Sequence, residues 1–133
     1  MKRICVVDDD PIAIYGLKKT LSAIRKDIEV VSYSNGKQAF DSIAPTIQMQ
    51  GHGIPDCIFI DLNMPVMDGW QLIDRLTKLP GFKRLSTIKL FIVTSSISTE
   101  DKQRAASYDE VQGYITKPFK KEVIEPLFAE SES

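Results

Sequence analysis

The sequence predicts an α/β domain of the doubly wound kind, with five parallel strands in one sheet and helices on both faces. Three observations lead there. Short apolar runs recur five times along the 133 residues, and all but the fourth are followed by a stretch whose apolar residues fall at spacings of three and four. The central runs are also apolar at successive positions, as strands buried on both faces must be.

Taken in order, Arg3 to Asp8 (RICVVD) forms the first strand, and Ile14, Leu17, Leu21 and Ile24 give the first helix its apolar stripe. Asp10 and Pro11 suit the cap and first turn of that helix. Ile28 to Tyr33 is the second strand, closed by the turn signal Asn35-Gly36, and Ala39, Phe40, Ile43 and Ile47 mark a second helix that contains Pro45 near its end. A loop, Gly51 to Asp56, leads to the third strand, Cys57 to Ile60. Leu72, Ile73, Leu76 and Leu79 define the third helix, stopped by Pro80-Gly81. Ile88 to Thr94 is the fourth strand. Ser98, with Asp101 three residues on, resembles a capping box for a polar helix running to Tyr108 that has little to bury. Val111 to Thr116 is the fifth strand. The last helix buries Val123, Ile124, Leu127 and Phe128, and Pro126 kinks or shortens it.

Composition narrows the function classes. The length suits one domain, 1–133. A 43% hydrophobic and 26% charged make-up, with no apolar run near the roughly 20 residues a bilayer demands, argues for a cytoplasmic globular protein. Met1 leads straight into a short apolar run that ends in three acids, unlike a signal peptide. A net charge of -1 with scattered Lys and Arg gives no footprint for nucleic acid. Cys5 and Cys57 lie inside apolar runs without metal-type spacing and read as buried reduced thiols.

In such sheets ligands bind beyond the carboxyl ends of the strands. The first strand ends at Asp8, Asp9 and Asp10, the third at Asp61, the fourth at Thr94, Ser95 and Ser96, and the fifth at Lys117-Pro118. Carboxylates held within about 4 Å repel by roughly 4 kcal/mol per pair at an effective dielectric near 20, so a cation should sit among them. Oxygen ligands suit a hard divalent ion, Mg²⁺ in particular. A carboxylate free to attack, a metal and a lysine to neutralise phosphate oxygens, and a hydroxyl to bond one of them make a site for forming an aspartyl phosphate.

Four blocks, VVDDD (Val6 to Asp10), IDLNMPVMDG (Ile60 to Gly69), IVTSS (Ile92 to Ser96) and YITKPF (Tyr114 to Phe119), resemble the receiver domain of two-component response regulators, in the family's order and across nearly the whole chain. The resemblance implies a flavodoxin-like strand order, 2-1-3-4-5. It implies that Asp61 is the phosphoacceptor, that Asp8, Asp9, Asp61 and the backbone carbonyl of Asn63 hold Mg²⁺, and that Lys117 contacts the phosphoryl group. Thr94 and Tyr114 resemble the switch pair, and the Lys117-Pro118 bond is expected to be cis. The implied partners are a histidine kinase or histidine phosphotransfer protein and a target at the face of the fourth helix, fifth strand and fifth helix. The domain would catalyse only its own phosphorylation and dephosphorylation. With no output domain expected, the signal leaves through another protein, along a phosphorelay, or into a phosphate sink.

Other readings fit less well. A haloacid-dehalogenase-type phosphatase wants an aspartate two positions after the nucleophile, where Asn63 stands, and far more chain. A flavodoxin-type FMN site wants a hydroxyl- and glycine-rich loop after the first strand, where three acids stand. A phosphorylation-independent pseudo-receiver acting as an interaction module is the alternative of a different class, although no site residue is missing. Asp10 reads as a helix cap, Asp68 and Gly69 as the start of the third helix, Trp70 as packing there, and His52 as a surface residue. Asn63 and Ser96 stand beside the site and are expected to set the lifetime of the phosphoryl group.

Overall fold

A computed structural model of the chain describes residues 2–49, 53–82 and 87–129. His52 and the expectation attached to it lie outside them. The elements alternate as the sequence predicts: β1 (Lys2–Val7), α1 (Pro11–Ile24), β2 (Ile28–Tyr33), α2 (Gly36–Gln48), β3 (Cys57–Ile60), α3 (Gly69–Thr77), β4 (Lys89–Thr94), α4 (Thr99–Ala106), β5 (Val111–Thr116), α5 (Lys121–Ile124) and α6 (Pro126–Ala129). The five strands pair in parallel in the order β2-β1-β3-β4-β5. Chain order reverses beside β1, so the carboxyl ends of β1 and β3 flank the crevice where such sheets bind ligands.

Alternation along each strand sends side chains to two separate cores. Cys5, Val7, Ile58, Ile60, Leu90 and Ile92 face α2 and α3, meeting Ile43, Ile47, Leu72 and Ile73. Ile4, Val6, Phe59, Phe91 and Val93 face the other way, against Leu17 and Leu21 of α1 and Ile124 and Phe128. Phe59 and Phe91 stack across β3 and β4 at 5.2 Å between centroids. Cys5 and Cys57 belong to opposite cores and are free. Burial pushes their thiols up to about 12 and about 11, so both stay protonated and inert at neutral pH.

Three helical segments depart from expectation in detail. Pro126 does more than kink the last helix: lacking an N–H, it divides the segment into α5 and α6. The buried stripe then runs through Ile124 and Phe128, and Val123, expected in the core, is 47% exposed. α3 ends at Thr77, three residues before Pro80, and Leu79 packs from the turn that follows. At α4 only half of the expected capping box forms. Ser98 Oγ accepts from Asp101 N at 3.2 Å, but the Asp101 carboxylate turns away to Ser96 and Trp70. α4 stops at Ala106, so Tyr108 lies beyond the helix and packs half-buried against the α3 side of the core.

Candidate functional site

Among the described residues the buried polar or charged ones are Asp8, Asp61 and Thr94, and all three stand at strand carboxyl ends. Burying a carboxylate is costly unless its oxygens are bonded. Asp8 Oδ1 accepts from Asp10 N at 2.9 Å and Oδ2 from Lys117 Nζ at 2.5 Å. Lys117 Nζ also lies 3.5 Å from Asp61 Oδ2. The ammonium thus spans two acids that would otherwise face each other unshielded.

The strands fix these side chains through their backbones. Asp61 N donates to Val7 O at 2.9 Å and Asp8 N to Tyr33 O at 3.0 Å, continuing the ladder past the strand ends. Lys117 N donates to Thr94 O at 2.8 Å, which sets β5 beside β4 at the root of the site, and the Lys117-Pro118 peptide is cis. Thr94 Oγ1 accepts from Ser96 N at 3.3 Å.

Asp9 is exposed, yet oxygens of Asp8, Asp9 and Asp61 all lie within 4.8 Å of one another. Burial, and next the charge of Asp8, raise the Asp61 pKa, against the opposing pull of Lys117, Thr94 and the Asn63 N–H. Burial works to lower the Lys117 pKa, but the bonds to Asp8 and Asp61 outweigh it and the net shift is upward. Lys117 therefore stays charged. An all-oxygen, strongly anionic set of this span suits a hard divalent cation. Asp10 is not part of the group; it caps α1, its carboxylate accepting from Ile12 N at 3.0 Å.

Asn63 is exposed beside the site, and its N–H reaches Asp61 Oδ1 only at 3.5 Å. Tyr114, half-buried on β5, donates from its hydroxyl to Ser96 O at 2.9 Å. An open cleft of about 580 Å³, bordered by Asp9, Asn63, Met64, Trp70 and Asp101, lies next to the acids.

Two glycines shape the loop after Asp61 in a way the sequence reading missed. A Cβ on Gly69 would lie 2.4 Å from Asp61 O and 2.8 Å from Leu62 Cα, and a Cβ on Gly36 2.4 Å from Met67 O. Gly69 N donates to Leu62 O and Gly36 N to Met67 O, both at 3.0 Å. The loop is thereby clamped between the starts of α2 and α3, and its buried residues Leu62, Met64 and Met67 explain its apolar character. Asp68 caps α3 in a full capping box with Gln71, as its position suggested.

Residues 4–128 match the family model of the response regulator receiver domain. The chain belongs to that family. This receiver domain is 32% identical over 127 residues to the protein PilH of Pseudomonas aeruginosa, covering 93% of this chain and 92% of PilH. It is 28% identical over 121 residues to the sensor histidine kinase CheAY of Helicobacter pylori, and 30% identical over 127 residues to the hybrid signal transduction histidine kinase L of Dictyostelium discoideum. Those alignments cover 91% and 94% of this chain but only 14% and 7% of the two kinases. The crystal structure of a two-component response regulator from Cytophaga hutchinsonii superposes with a TM-score of 0.83 at 23% identity, over 98% of this chain and 96% of that one. The receiver domain of the Pseudomonas aeruginosa histidine kinase PA1611, determined with magnesium coordinated in its active site cleft, gives 0.76 at 19% identity, over 97% and 95%. Both share the flavodoxin-like fold. As a receiver domain, the protein belongs to a family of signalling modules of two-component systems. Among the described residues no helix is long and apolar enough to cross a membrane.

Proposed function

We propose that Asp61 takes a phosphoryl group from a phosphohistidine of a kinase or phosphotransfer protein in a Mg²⁺-dependent reaction, and that the charge so added alters the surface the domain offers to a target. The observation that carries this reading is Asp61 itself, a buried carboxylate 3.5 Å from Lys117 Nζ, grouped with Asp8 and Asp9 at the edge of an open cleft.

Asp8, Asp9, Asp61 and the backbone carbonyl of Asn63 would hold the Mg²⁺. When bound, the ion neutralises charge on the carboxylates and on the incoming phosphoryl oxygens. An Asp61 carboxylate oxygen attacks phosphorus from the cleft side, the new P–O bond forms as the P–N bond to the donor imidazole breaks, and the imidazole leaves with that electron pair. The Lys117 ammonium and the Thr94 hydroxyl stabilise phosphoryl oxygens, their positions set in advance by Asp8 and by Ser96 N. Water later attacks phosphorus, the P–O bond to Asp61 breaks, and inorganic phosphate leaves as the free carboxylate returns, with Asn63 and Ser96 flanking the water's approach.

The signal leaves through Thr94 and Tyr114. Recruitment of the Thr94 hydroxyl by the phosphoryl group favours the arrangement in which Tyr114 is folded inward on Ser96 O, and this biases the face of α4, β5 and α5 toward its partner. Moving such an equilibrium from 1:99 to 99:1 takes about 5.5 kcal/mol, more than one hydrogen bond provides, so partner binding completes the shift.

Incubation with Mg²⁺ and a small acyl phosphate, followed by intact-mass measurement, tests the chemistry. One phosphoryl increment is expected for the parent, dependent on Mg²⁺, and none for Asp61→Asn. An equal increment in Asp61→Asn would reject the assignment. No increment in the parent would favour the phosphorylation-independent interaction module.

A further inference from the structure

Ser96 is bonded at every polar atom. Its N–H donates to Thr94 Oγ1 at 3.3 Å, its carbonyl accepts from Tyr114 at 2.9 Å, and its hydroxyl donates to Asp101 Oδ2 at 2.6 Å while accepting from Ser98 N at 3.3 Å. One residue thus orients both Thr94 and Tyr114, and its only side-chain acceptor is Asp101, the third residue of α4. The other oxygen of Asp101 accepts from Trp70 Nε1 at 3.3 Å, at the start of α3. Trp70 is buried, stacked on Tyr108 at 6.0 Å, and covered by the Arg104 guanidinium 4.5 Å from its ring centroid. Arg104 and Tyr108 both reach Asp74 of α3.

We propose that Asp101 is a positioning residue of this receiver, which holds Ser96, and through it the Thr94 hydroxyl and the Tyr114 phenol, in register with the anchored indole of Trp70. The proposal deepens the phosphoacceptor reading and rests on it. Two features support a positioning role over plain helix capping. The carboxylate forgoes the reciprocal capping bond that its place in α4 offers and spends both oxygens on Ser96 and Trp70 instead. Its partners also lead in opposite directions, one to the site and one to the α3 framework, so its loss would free Ser96 without disturbing the acids that group for a cation. A two-point acceptor between a rigid indole and a loop serine restricts the loop to one arrangement.

Asp101→Ala tests this in the full chain, with Asp101→Asn as rescue, since the carboxamide keeps an acceptor for Trp70 and offers a donor to Ser96 Oγ. At saturating Mg²⁺ the initial rate of phosphoryl gain from a small acyl phosphate should fall about tenfold in Asp101→Ala and recover to within about threefold in Asp101→Asn, with Mg²⁺ affinity unchanged in both. Asp101→Ala combined with Ser96→Ala should be no slower than either alone, because the two act as one unit. A parental rate in Asp101→Ala, additive losses in the double variant, or a loss that tracks weakened Mg²⁺ binding would each overturn the proposal.

A second measurement needs no phosphorylation. NMR of the Thr94 methyl and Tyr114 ring should show shifts in Asp101→Ala, largely reversed in Asp101→Asn, and unmoved resonances would overturn the proposal. If the parent fails to take up phosphate while these resonances move as expected, the phosphoacceptor reading fails and the positioning role of Asp101 stands.

Discussion

Lys117 Nζ binds Asp8 Oδ2 at 2.5 Å, closer than the 3.5 Å that separates it from Asp61 Oδ2. Lys117 is therefore first the counter-charge of Asp8 and only secondarily that of Asp61. An ammonium and a metal ion compete for the same carboxylate, so the pair that stabilises the metal-free site also opposes loading it.

Lys117→Met should expose this competition. Leaving Asp8 buried without its partner is expected to cost about 3 kcal/mol in EDTA. Mg²⁺ should restore most of that loss and should bind several-fold more tightly than to the parent, while phosphoryl gain slows. Titration calorimetry and thermal melts with and without Mg²⁺ decide it; weaker Mg²⁺ binding in Lys117→Met would refute the competition.

Asp61 is held at a cost to the fold. Its pKa is raised, by burial first and by Asp8 next, so the folded state favours its protonated form more than the unfolded chain does. A raised acid contributes stability that is full below its unfolded value, near 3.8, and is lost as pH rises through the folded value. At neutral pH the ionised group therefore opposes folding. Asp61→Asn should melt a few degrees higher than the parent at pH about 7 in EDTA, with the gap closing toward pH about 4. An equal or lower melting point for Asp61→Asn at neutral pH would contradict this account.

A second strained point lies in the loop beyond Asp61. Val66 has φ of 69°, where a β-branched residue is badly placed, and Met67 N closes a three-residue turn on Pro65 O at 2.7 Å. Val66 is 75% exposed, so its side chain adds little packing in return. Val66→Gly should stabilise the protein by about 1 kcal/mol, the relief of strain exceeding the added chain entropy, and Val66→Ala should do much less. Denaturant unfolding of the two variants measures the difference, and equal gains would mean that φ is not the cause.

What was legible in the sequence and what was not divide by range. The parallel sheet and its strand-end residues followed from apolar periodicity, because such a sheet brings its carboxyl ends together wherever they fall in the chain, whereas strand order followed only from the family resemblance carried by blocks such as VVDDD and YITKPF. The Asp8–Lys117 bond joins residues 109 apart and could be anticipated only as a consequence of that topology. Asp101 is different. In the sequence it offers a local bond, the capping box, and only the packing of Trp70 across 31 residues shows why its carboxylate points elsewhere. The apolar spacing places Val123 in the core only if one helix continues across Pro126; the break there leaves it exposed. Gly69 gave a usable signal in its place after Asp68, but read as a turn residue it concealed how near it lies to Asp61.

That nearness gives the sharpest backbone test. The start of α3 lies directly on the Asp61-Leu62 backbone, and a Cβ at position 69 would sit 2.4 Å from Asp61 O and 2.8 Å from Leu62 Cα. Both are main-chain atoms at the root of the site, so neither can swing aside as a flexible side chain would. Gly69→Ala must lift α3 from the strand end or displace the Asp61 peptide, and either move strains the bond from Gly69 N to Leu62 O. A loss of about 2–3 kcal/mol is expected, with slower phosphoryl gain at Asp61 even well below the melting transition. Gly16 supplies the control. It lies exposed within α1, with no atom within 4 Å of its would-be Cβ, so Gly16→Ala should stabilise by about 1 kcal/mol through helix propensity alone and leave phosphoryl gain untouched. If Gly69→Ala melts with the parent, α3 does not bear on the Asp61 backbone; if it is destabilised yet phosphorylates at the parental rate, the contact supports the fold without setting the geometry of the site.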